Sequence, residues 1–392
     1  MKRSTIQEYL AGLKGKRVAV IGIGVSNTPL IKMLLRAGVK VTACDKKPMS
    51  AFAGLAEELE SLGATLKLGE DYLEDLDFEV IFRTPGMRPD LPQLVAAQQK
   101  GAILTSEMEV FFQVCPCRTI AVTGSDGKTT TTTIIAELLK AAGETVYVGG
   151  NIGKPLLPDV DGMVPGDIAV LELSSFQLMT MDRSPNIAVV TNLAPNHLDV
   201  HKSMEEYIEA KENIFLHQSE QDLLVVNADN EITHGFAGEA QGRVAMFSRL
   251  SEPARGAFLR DGAIWVRNEM HERPVLPVAD ILLPGTHNVE NYMAAITALD
   301  GLVPDPAVRD FAQKFAGVEH RIELVRTLNG VKYYNDSIAS SPSRTIAGLC
   351  SFHQKVILIA GGYDKHIPFD VLGPGIIGHV KELFLTGNTA EK

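Results

Sequence analysis

The residues from Val122 to Thr129 have the types and spacing needed to hold a phosphate group. They read VTGSDGKT, and the two glycines allow a tight turn in which successive backbone amides surround an anion. Lys128 adds a positive charge, and Thr129 offers a hydroxyl to Mg²⁺. The usual phosphate-loop pattern has one more glycine, where this chain has Val122. A chance glycine turn is the alternative, which an apolar strand before the loop and a helix after it disfavour.

Carboxylate and imidazole side chains follow two later apolar runs. Glu172 comes at the end of AVLE, where it is placed to bind Mg²⁺ on the phosphates, although a strand-end carboxylate without a function is an equal alternative. His197, Asp199 and His201 follow the next run, in TNLAPNHLDVH. Ligands of parallel sheets bind beyond the carboxyl ends of the strands, so we expect these residues near the loop.

A lysine lies in the apolar stripe of the segment SMEEYIEAKENIF. A capping-box pattern of Ser203 and Glu206 predicts a helix that begins at Met204, and helical spacing places Lys211 among its apolar residues. A lone lysine of this kind ordinarily snorkels to water. If the helix packs along the edge that carries the loop, an ammonium beside Mg²⁺ would be repelled and desolvated, which favours the neutral amine. Such an amine captures CO₂ and becomes a carbamate, which is a metal ligand.

Alternating strands and helices must position these side chains. A strand at 16–24, a helix at 28–38 and a strand at 39–45 form a βαβ unit, and strands are also expected at 79–86 and 102–109. These elements predict an α/β fold with mostly parallel sheets.

A second series of elements begins at residues 118–143 and closes with a helix at 285–302. A third begins near Arg321 and contains three predicted strands, at 331–337, 355–362 and 381–387. The expected domains are therefore 1–106, 107–317 and 318–392. Doubly wound sheets usually have five or six strands, so we expect the third domain to be unusually small or incomplete.

The composition excludes several classes of protein. The 392 residues are 45% hydrophobic and 22% charged, with a formal net charge of −11, which argues against a broad nucleic-acid-binding face. No signal-peptide run and no apolar stretch of about 20 residues is present, so a cytoplasmic protein without a membrane span is expected. The 4 cysteines lack paired CxxC spacing and are expected to be reduced thiols.

Several motifs together resemble the Mur ligase family, which builds the peptide stem of the bacterial cell-wall precursor. They span all three predicted domains, in the order TGSDGKTT (123–130), GGNIG (149–153), ELSSFQL (172–178), NHLD (196–199), GTHNVEN (285–291), EHRIE (319–323) and NDSIASSP (335–342). The resemblance implies three domains: a Rossmann-like domain that binds the UDP substrate, a central P-loop ATPase domain and a Rossmann-like C-terminal domain. Ile338 stands where many relatives have a lysine.

The resemblance also implies an activity. This is the ATP-dependent addition of D-glutamate to UDP-N-acetylmuramoyl-L-alanine through an acyl phosphate, in peptidoglycan precursor synthesis. Another Mur-type or folylpolyglutamate-type ligase with a different amino acid is an alternative. An NAD-dependent oxidoreductase, based on Gly22, Gly24 and Asp45, and a nucleotide-dependent switch, based on the loop alone, are less favoured. The expected partners are small molecules, with neither nucleic acid nor membrane, and the chain is expected to act as a monomer.

Site residues follow from the same resemblance. The catalytic residues it implies are Lys128, Glu172, His197 and Lys211. Those for ATP are Gly124, Ser125, Asp126, Gly127, Lys128, Thr129, Thr130, Asn291, Arg321 and Asp336. Two Mg²⁺ ions are assigned to Thr129, Glu172, His197 and a carbamate on Lys211. The UDP substrate is assigned to Gly24, Val25, Ser26, Asp45, Lys46, Lys47, Thr84, Pro85, Gly86 and Asn151, and D-glutamate to Ser340 and Lys365.

Overall fold

The computed structural model describes residues 4–198, 200–339, 341–364 and 367–392. Its internal contacts divide the chain into two compact units that alternate along the sequence. The first unit contains Met1–Ile120 and Thr145–Asn186, and the second contains Ala121–Glu144 and Ile187–Lys392. The predicted division into three domains stays a prediction.

A five-stranded parallel sheet forms the first part of the first unit. Its strands are β1 (Arg17–Ile21), β2 (Lys40–Asp45), β3 (Thr65–Leu68), β4 (Val80–Phe82) and β5 (Ile103–Thr105). The strand order β3-β2-β1-β4-β5 is that of a doubly wound nucleotide-binding fold. The accompanying helices are α1 (Ile6–Leu13), α2 (Asn27–Arg36), α3 (Leu55–Ser61), α4 (Pro92–Gln99) and α5 (Glu107–Val114), with a 3₁₀ turn at Met49–Phe52.

The predicted strand at 102–109 is wrong in its second half. β5 ends at Thr105, and α5 begins at Glu107. The reason is a helix cap, because the Ser106 side chain accepts a hydrogen bond from the Glu109 amide (3.3 Å). Because the chain is helical rather than extended here, Glu107 is the first residue of α5.

The phosphate-loop segment and a parallel strand pair come next in the chain. The elements are β6 (Arg118–Thr123), α6 (Lys128–Ala141), β7 (Val146–Gly150), β8 (Ile168–Glu172) and α7 (Ser175–Leu178), with a 3₁₀ helix at Leu157–Gly162. In the first unit, β7 and β8 pair in parallel, with Gly150 opposite Glu172. The second unit contains the last three residues of β6 and all of α6.

A longer sheet in the second unit joins parallel strands to an antiparallel extension. Its elements are β9 (Ile187–Val190), α8 (Met204–Glu212), β10 (Leu223–Asn227), α9 (Glu231–Gly235), β11 (Arg243–Ser248), β12 (Gly256–Arg260), β13 (Ala263–Arg267), β14 (Glu272–Pro277), α10 (Thr286–Ala298) and α11 (Asp305–Ala312), with 3₁₀ turns at Phe236–Gly238 and Val278–Asp280. Strands β9 to β12 are parallel, whereas β12, β13 and β14 are antiparallel. The predicted α/β class with mostly parallel sheets is confirmed; the antiparallel extension was not predicted.

Two strand pairs form the last part of the second unit. The elements are β15 (Glu323–Leu328), β16 (Val331–Asn335), α12 (Pro342–Leu349), β17 (Val356–Gly362), α13 (Leu372–His379) and β18 (Val380–Gly387). The three predicted strands correspond to β16, β17 and β18, and β15 is an addition. β15 and β16 are antiparallel, and β17 and β18 are parallel. Among the described helices, none has the length and apolar character that crossing a bilayer requires.

Arg83 is a buried cation that fixes the chain after β4. It is only 1% exposed. Its guanidinium donates to the carbonyls of Pro85 (3.1 Å) and Met87 (3.0 Å), and on the other side to the carbonyl of Phe176 (3.2 Å) and the hydroxyl of Thr180 (2.7 Å). Burial lowers the pKa of Arg83. The side chain thus joins the turn at 84–87 to the residues around α7 within the first unit.

Replacing Arg83 by methionine should destabilise the first unit. Methionine fills similar space but removes the donor of four hydrogen bonds to partly buried oxygens, so we expect a loss on the order of 3 kcal/mol in the free energy of unfolding, measured by denaturant titration. The control is Arg17→Met, whose ion pair with Asp77 involves a side chain that is 53% exposed and should contribute little. Equal stability of the two variants would contradict this role of Arg83.

Candidate active site

The glycine loop between β6 and α6 depends on two positions that tolerate no side chain. Gly127 has φ +79°, and a Cβ there would lie 2.4 Å from Asn291 Oδ1. Gly124 has φ +148°, and a Cβ there would lie 2.0 Å from Thr191 Oγ1. Both glycines are therefore required by backbone conformation and by close packing.

Residues that follow β9 hold the loop in place. The Ser125 amide donates to the Asn192 carbonyl (2.8 Å), and the Asp126 amide donates to Asn192 Oδ1 (3.0 Å). The Thr191 hydroxyl donates to the Asp126 carbonyl (2.5 Å), and the Ser125 hydroxyl donates to the Ala194 carbonyl (2.8 Å). All of these hydrogen bonds that hold the loop lie within the second unit. Thr191 and Asn192 were not identified from the sequence, although they begin the TNLAPNHLD segment.

The start of α6 has the properties of an anion site. The helix has 14 residues, and its N-cap, Gly127, has no side chain to bond the first-turn amides. Lys128 Nζ lies against the loop, donating to the carbonyls of Gly124 (2.8 Å) and Ser125 (3.0 Å). Arg321 donates to the Thr129 hydroxyl (2.7 Å). Two cations thus lie beside amides that carry the positive end of a helix dipole.

Lys211 is buried against the same loop. Its residue is 1% exposed, and Nζ donates to Thr123 Oγ1 (2.9 Å) and to the Gly124 carbonyl (3.1 Å), 5.0 Å from the centre of the Tyr207 ring. The expectation that this amine faces the loop is confirmed, and the alternative of a lysine that snorkels to water is wrong. The helix begins at Met204 as predicted.

The two histidines after β9 have different surroundings. His197 is half-buried and has φ +56°, a left-handed conformation that is uncommon for a residue with a side chain and is often found at functional sites. His201 is buried, with its ring edge-on to Tyr207 at 5.2 Å and its Nδ1 3.6 Å from Glu206 Oε2. The packing of His201 fits a structural role.

A cleft in the second unit brings together much of the predicted ATP site. Its lining includes the predicted residues Asp126, Gly127, Thr130, Asn291, Arg321 and Asp336. Further lining residues that sequence reasoning did not identify include Asn192, His287, Asn288, Ser343 and Arg344. The remaining predicted ATP residues, Gly124, Ser125, Lys128 and Thr129, belong to the loop and to the start of α6.

Polar side chains of this cleft are fixed by their neighbours. Asn291 accepts from the Thr131 hydroxyl (3.2 Å) and donates to Asn288 Oδ1 (3.0 Å). Asp336 Oδ1 accepts from the Ile322 amide (3.1 Å), and burial raises the pKa of its carboxyl group. Burial lowers the pKa of His287, which favours a neutral imidazole. The cleft therefore offers an amide, a carboxyl group and a neutral ring next to an anion-binding loop, a combination that suits a nucleotide.

A second cleft lies in the first unit. It is lined by the predicted substrate residues Val25, Ser26, Thr84, Pro85, Gly86 and Asn151. It is also lined by Glu107, Met108, Gly150, Gly153, Pro155 and Gln177, which were not predicted. Within the described part of the chain, the predicted residues Gly24, Asp45, Lys46 and Lys47 are not in this lining.

Asp45 instead fixes the turn after β1. One carboxylate oxygen accepts from the Ile23 amide (2.7 Å) and the other from the Lys47 amide (2.9 Å). In the same turn, a Cβ on Gly22 would lie 2.9 Å from Thr84 Cβ, so the glycine lets the turn approach a residue of the cleft. The side chains of Lys46 and Lys47 are exposed.

Glu172 and Asn151 form a pair at the ends of β8 and β7. Asn151 Nδ2 donates to Glu172 Oε1 (2.7 Å), and the Asn151 amide donates to the Glu172 carbonyl (2.7 Å). Gly150 makes this possible, since a Cβ there would lie 2.2 Å from that carbonyl oxygen. Glu172 is 2% exposed, so its carboxylate is held in one position.

Some predicted positions cannot be placed. Asp199, Ser340 and Lys365 lie outside the described residues. Among the residues that are described, no group of three or more His, Cys, Asp or Glu side chains forms a metal-binding cluster.

Comparison with known proteins gives close relatives along nearly the whole chain. The profile of the Mur ligase middle domain matches residues 122–299. A UDP-N-acetylmuramoylalanine–D-glutamate ligase of Acetivibrio thermocellus is 55% identical over 388 residues, which are 99% of this chain and 83% of that protein. The protein of the same name from Clostridium kluyveri is 51% identical over 393 residues, covering 100% of this chain and 85% of the relative.

Solved structures share the fold at low sequence identity. MurF from Acinetobacter baumannii superposes with a TM-score of 0.58 at 16% identity, covering 100% of this chain and 91% of MurF. The UDP-N-acetylmuramate–alanine ligase MurC from Thermotoga maritima gives a TM-score of 0.55 at 20% identity, covering 95% of this chain and 90% of MurC.

Glu107 is a buried carboxyl group in the lining of the first unit's cleft. It is 7% exposed, and Oε1 accepts from the Leu157 amide (2.9 Å). Burial raises the pKa of Glu107 from 4.5 to about 7, against the opposing effect of backbone hydrogen bonds. The folded protein therefore keeps a proton here over a pH range in which the unfolded chain has lost it.

Stability should consequently fall as the pH rises from the unfolded pKa of 4.5 to the folded pKa of about 7. Glu107→Gln removes this titration, so its stability relative to wild type should increase between pH 5 and pH 8 by up to roughly 3 kcal/mol, measured by denaturant titration at each pH. Glu60→Gln, at an exposed position of α3, is the control and should show little change. A pH-independent difference between Glu107→Gln and wild type would exclude a raised pKa.

Proposed function

Because this chain belongs to the Mur ligase family, we propose that it catalyses the ATP-dependent addition of D-glutamate to UDP-N-acetylmuramoyl-L-alanine. The observation that carries the proposal is the glycine loop of α6, which shares a cleft with Asn291, Arg321 and Asp336. The identity of 51–55% to ligases named for this reaction supports the choice of substrates. We also propose that the chain acts as a monomer in the cytoplasm.

The proposed reaction has two steps. A carboxylate oxygen of the muramoyl-alanine attacks the γ-phosphorus of ATP. The bond between the γ-phosphorus and the β,γ-bridging oxygen breaks, which releases ADP and forms an acyl phosphate. The amine of D-glutamate then attacks the acyl carbon. The tetrahedral intermediate expels phosphate and the nitrogen loses a proton, which leaves the amide. One ATP is thereby converted to ADP and phosphate for each amide bond.

Residues of the second unit suit the nucleotide half of this reaction. We assign the β- and γ-phosphates to the amides at the start of α6 and to Lys128, and the transferred phosphoryl group to Arg321, whose guanidinium donates to the Thr129 hydroxyl. We assign the ribose to Asp336 and contacts with the nucleotide to Asn291. Lys128 and Arg321 are held by hydrogen bonds within the second unit, so little reorganisation is needed when charge develops.

The reaction also requires that two anions, the phosphates of ATP and the substrate carboxylate, come close together. Mg²⁺ supplies positive charge that offsets the repulsion between the phosphates and the substrate carboxylate. The side chains we assign to two such ions are Thr129, Glu172, His197 and a carbamate on Lys211. The position of Lys211 fits that modification, because its amine is buried and lies beside Thr123 and Gly124 at the base of the loop. Carbamate formation joins CO₂ to the neutral amine and releases a proton.

Residues of the first unit suit the UDP substrate. We assign this substrate to one cleft, which is lined by Val25, Ser26, Thr84, Pro85, Gly86 and Asn151. We extend the assignment to nearby residues of the same unit, Gly24, Asp45, Lys46 and Lys47. The assignment of D-glutamate to Ser340 and Lys365 is based on the family pattern alone.

A coupled ADP-release assay tests the proposed reaction. ADP should form only when ATP, UDP-N-acetylmuramoyl-L-alanine and D-glutamate are all present, and L-glutamate, L-alanine, L-lysine and diaminopimelate should not replace D-glutamate. Lys128→Ala should lower turnover by at least about 100-fold, because it removes a charge placed on the phosphates. Turnover with another amino acid would instead support a different ligase. Stabilisation by NADH but not by the UDP substrate, in a thermal-shift comparison, would favour an oxidoreductase.

Lys211 provides a separate test of the carbamate. Lys211→Ala should be inactive and should regain part of its activity with acetate or another small carboxylate, which can occupy the place of the carbamate. Lys211→Arg keeps a positive charge but cannot form a stable carbamate, and it should remain inactive with or without bicarbonate. Near-normal turnover of the arginine variant would exclude a carbamate role, provided that circular dichroism shows all variants to be folded.

A further inference from the structure

The phosphate loop contains an acidic residue. Asp126 lies between Ser125 and Gly127, and it lines the cleft in front of α6. A carboxylate in that position opposes the binding of a polyphosphate, because the two negative charges repel each other across a partly desolvated space. The loop needs a counter-charge for this residue if it is to bind an anion well.

That counter-charge comes from a distant part of the chain. Arg344 Nε forms an ion pair with Asp126 Oδ1 across 218 positions of the sequence, and the Ser343 hydroxyl donates to Asp126 Oδ2 (2.9 Å). Arg344 also donates to the carbonyls of Ser125 (3.4 Å) and Ile338 (3.2 Å). The side chains of Arg344 and Asp126 are 14% and 22% exposed, so solvent screens the pair only in part.

The backbone at Asp126 does not depend on the ion pair for its conformation. The backbone at Asp126 is already fixed from another side, by hydrogen bonds with Thr191 and with Asn192. The carboxylate is thus free of a structural task within the loop, and its only described ion-pair partner, Arg344, belongs to α12. The first turn of α12 is capped by Ser341, which accepts from the Arg344 amide (3.4 Å), and Ser343 and Arg344 of this turn line the cleft.

We propose that Asp126 and Arg344 form an electrostatic gate on nucleotide binding. When α12 places the guanidinium on Asp126, the loop is neutralised and accepts the phosphates. When α12 moves away, the bare carboxylate repels them. The acid therefore makes nucleotide affinity conditional on the docking of α12. The inference deepens the proposed function, on which it rests for the identity of the ligand.

The alternative is that Arg344 binds phosphate directly. The two explanations differ in what happens when both charges are removed. If Arg344 acts by cancelling Asp126, then Asp126→Asn should restore the affinity that an Arg344 substitution loses. If Arg344 contacts the nucleotide itself, removing Asp126 cannot replace it. A double-mutant cycle separates these effects.

The experiment measures the Kd of ADP and of a non-hydrolysable ATP analogue, with Mg²⁺, by calorimetry on the full chain. Wild type, Arg344→Met, Asp126→Asn and the double variant are compared. Arg344→Met should weaken binding by roughly 10- to 100-fold, because it leaves the carboxylate beside the phosphates without its partner. Asp126→Asn should bind the nucleotides more tightly than wild type, because the opposing charge is removed, and the affinity of the double variant should lie within about threefold of wild type.

Further measurements separate the gate from other effects. Arg344→Lys, which keeps the charge, should recover most of the lost affinity, and the KM for the UDP substrate should stay the same in Arg344→Met. Unchanged nucleotide affinity in Arg344→Met, or a double variant as weak as Arg344→Met alone, would overturn the gate. Thermal melts establish that each variant is folded. If the wild-type protein binds no adenine nucleotide, the proposed function is wrong. If the wild-type protein binds nucleotide but the double-mutant cycle shows no coupling between Asp126 and Arg344, only the gate is wrong.

Discussion

The structure of the candidate site depends on a backbone turn with no room for side chains. At Gly124 and Gly127 the space that a Cβ would need is taken by oxygen atoms of Thr191 and Asn291. These atoms come from the segment after β9 and from α10, two elements far apart in the sequence. Their approach fixes the direction of the loop amides, because a backbone held on both sides cannot turn its N–H groups away. An anion site made of backbone dipoles is useful only when the dipoles are already oriented, so the packing of these elements is a condition for binding.

Buried polar side chains complete this arrangement by donating hydrogen bonds to oxygens at two turns. Lys211 bonds the end of β6 and the first residue of the loop, and Arg83 bonds the turn that lines the other cleft. For the Arg83 guanidinium, burial costs desolvation energy, which hydrogen bonds to several acceptors offset. In both units, therefore, a basic residue within an apolar stretch of sequence helps to hold a turn that faces a cleft.

Local patterns in the sequence predicted the elements that carry the site, and contacts between distant residues decided the rest. β6, α6 and the helix of Lys211 follow from apolar runs, glycines and a cap, all of which act within a few residues. The strand expected at 102–109 failed at Ser106, whose capping bond competes with an extended conformation that the apolar residues also allow. Asn192, Arg344 and Glu107 were missed because nothing near them in sequence distinguishes them. Their roles arise only when folding brings them to a loop or cleft.

The distribution of charge explains how an acidic chain can hold anionic substrates. With a net charge of −11, the protein as a whole repels phosphates at long range, and solvent ions screen that repulsion beyond about 8 Å. Binding is therefore decided by the electrostatic field of the charges that lie within about 8 Å of the ligand. Around the glycine loop, that field is set by Lys128, Arg321 and the dipole of α6, with Asp126 as the opposing charge. Because so few charges surround the loop, a single carboxylate changes its electrostatic field substantially. Neutralising Asp126 with Arg344 therefore changes the field at the loop about as much as gaining or losing one of the cations would. A surface charge elsewhere on the chain would have a much smaller effect there.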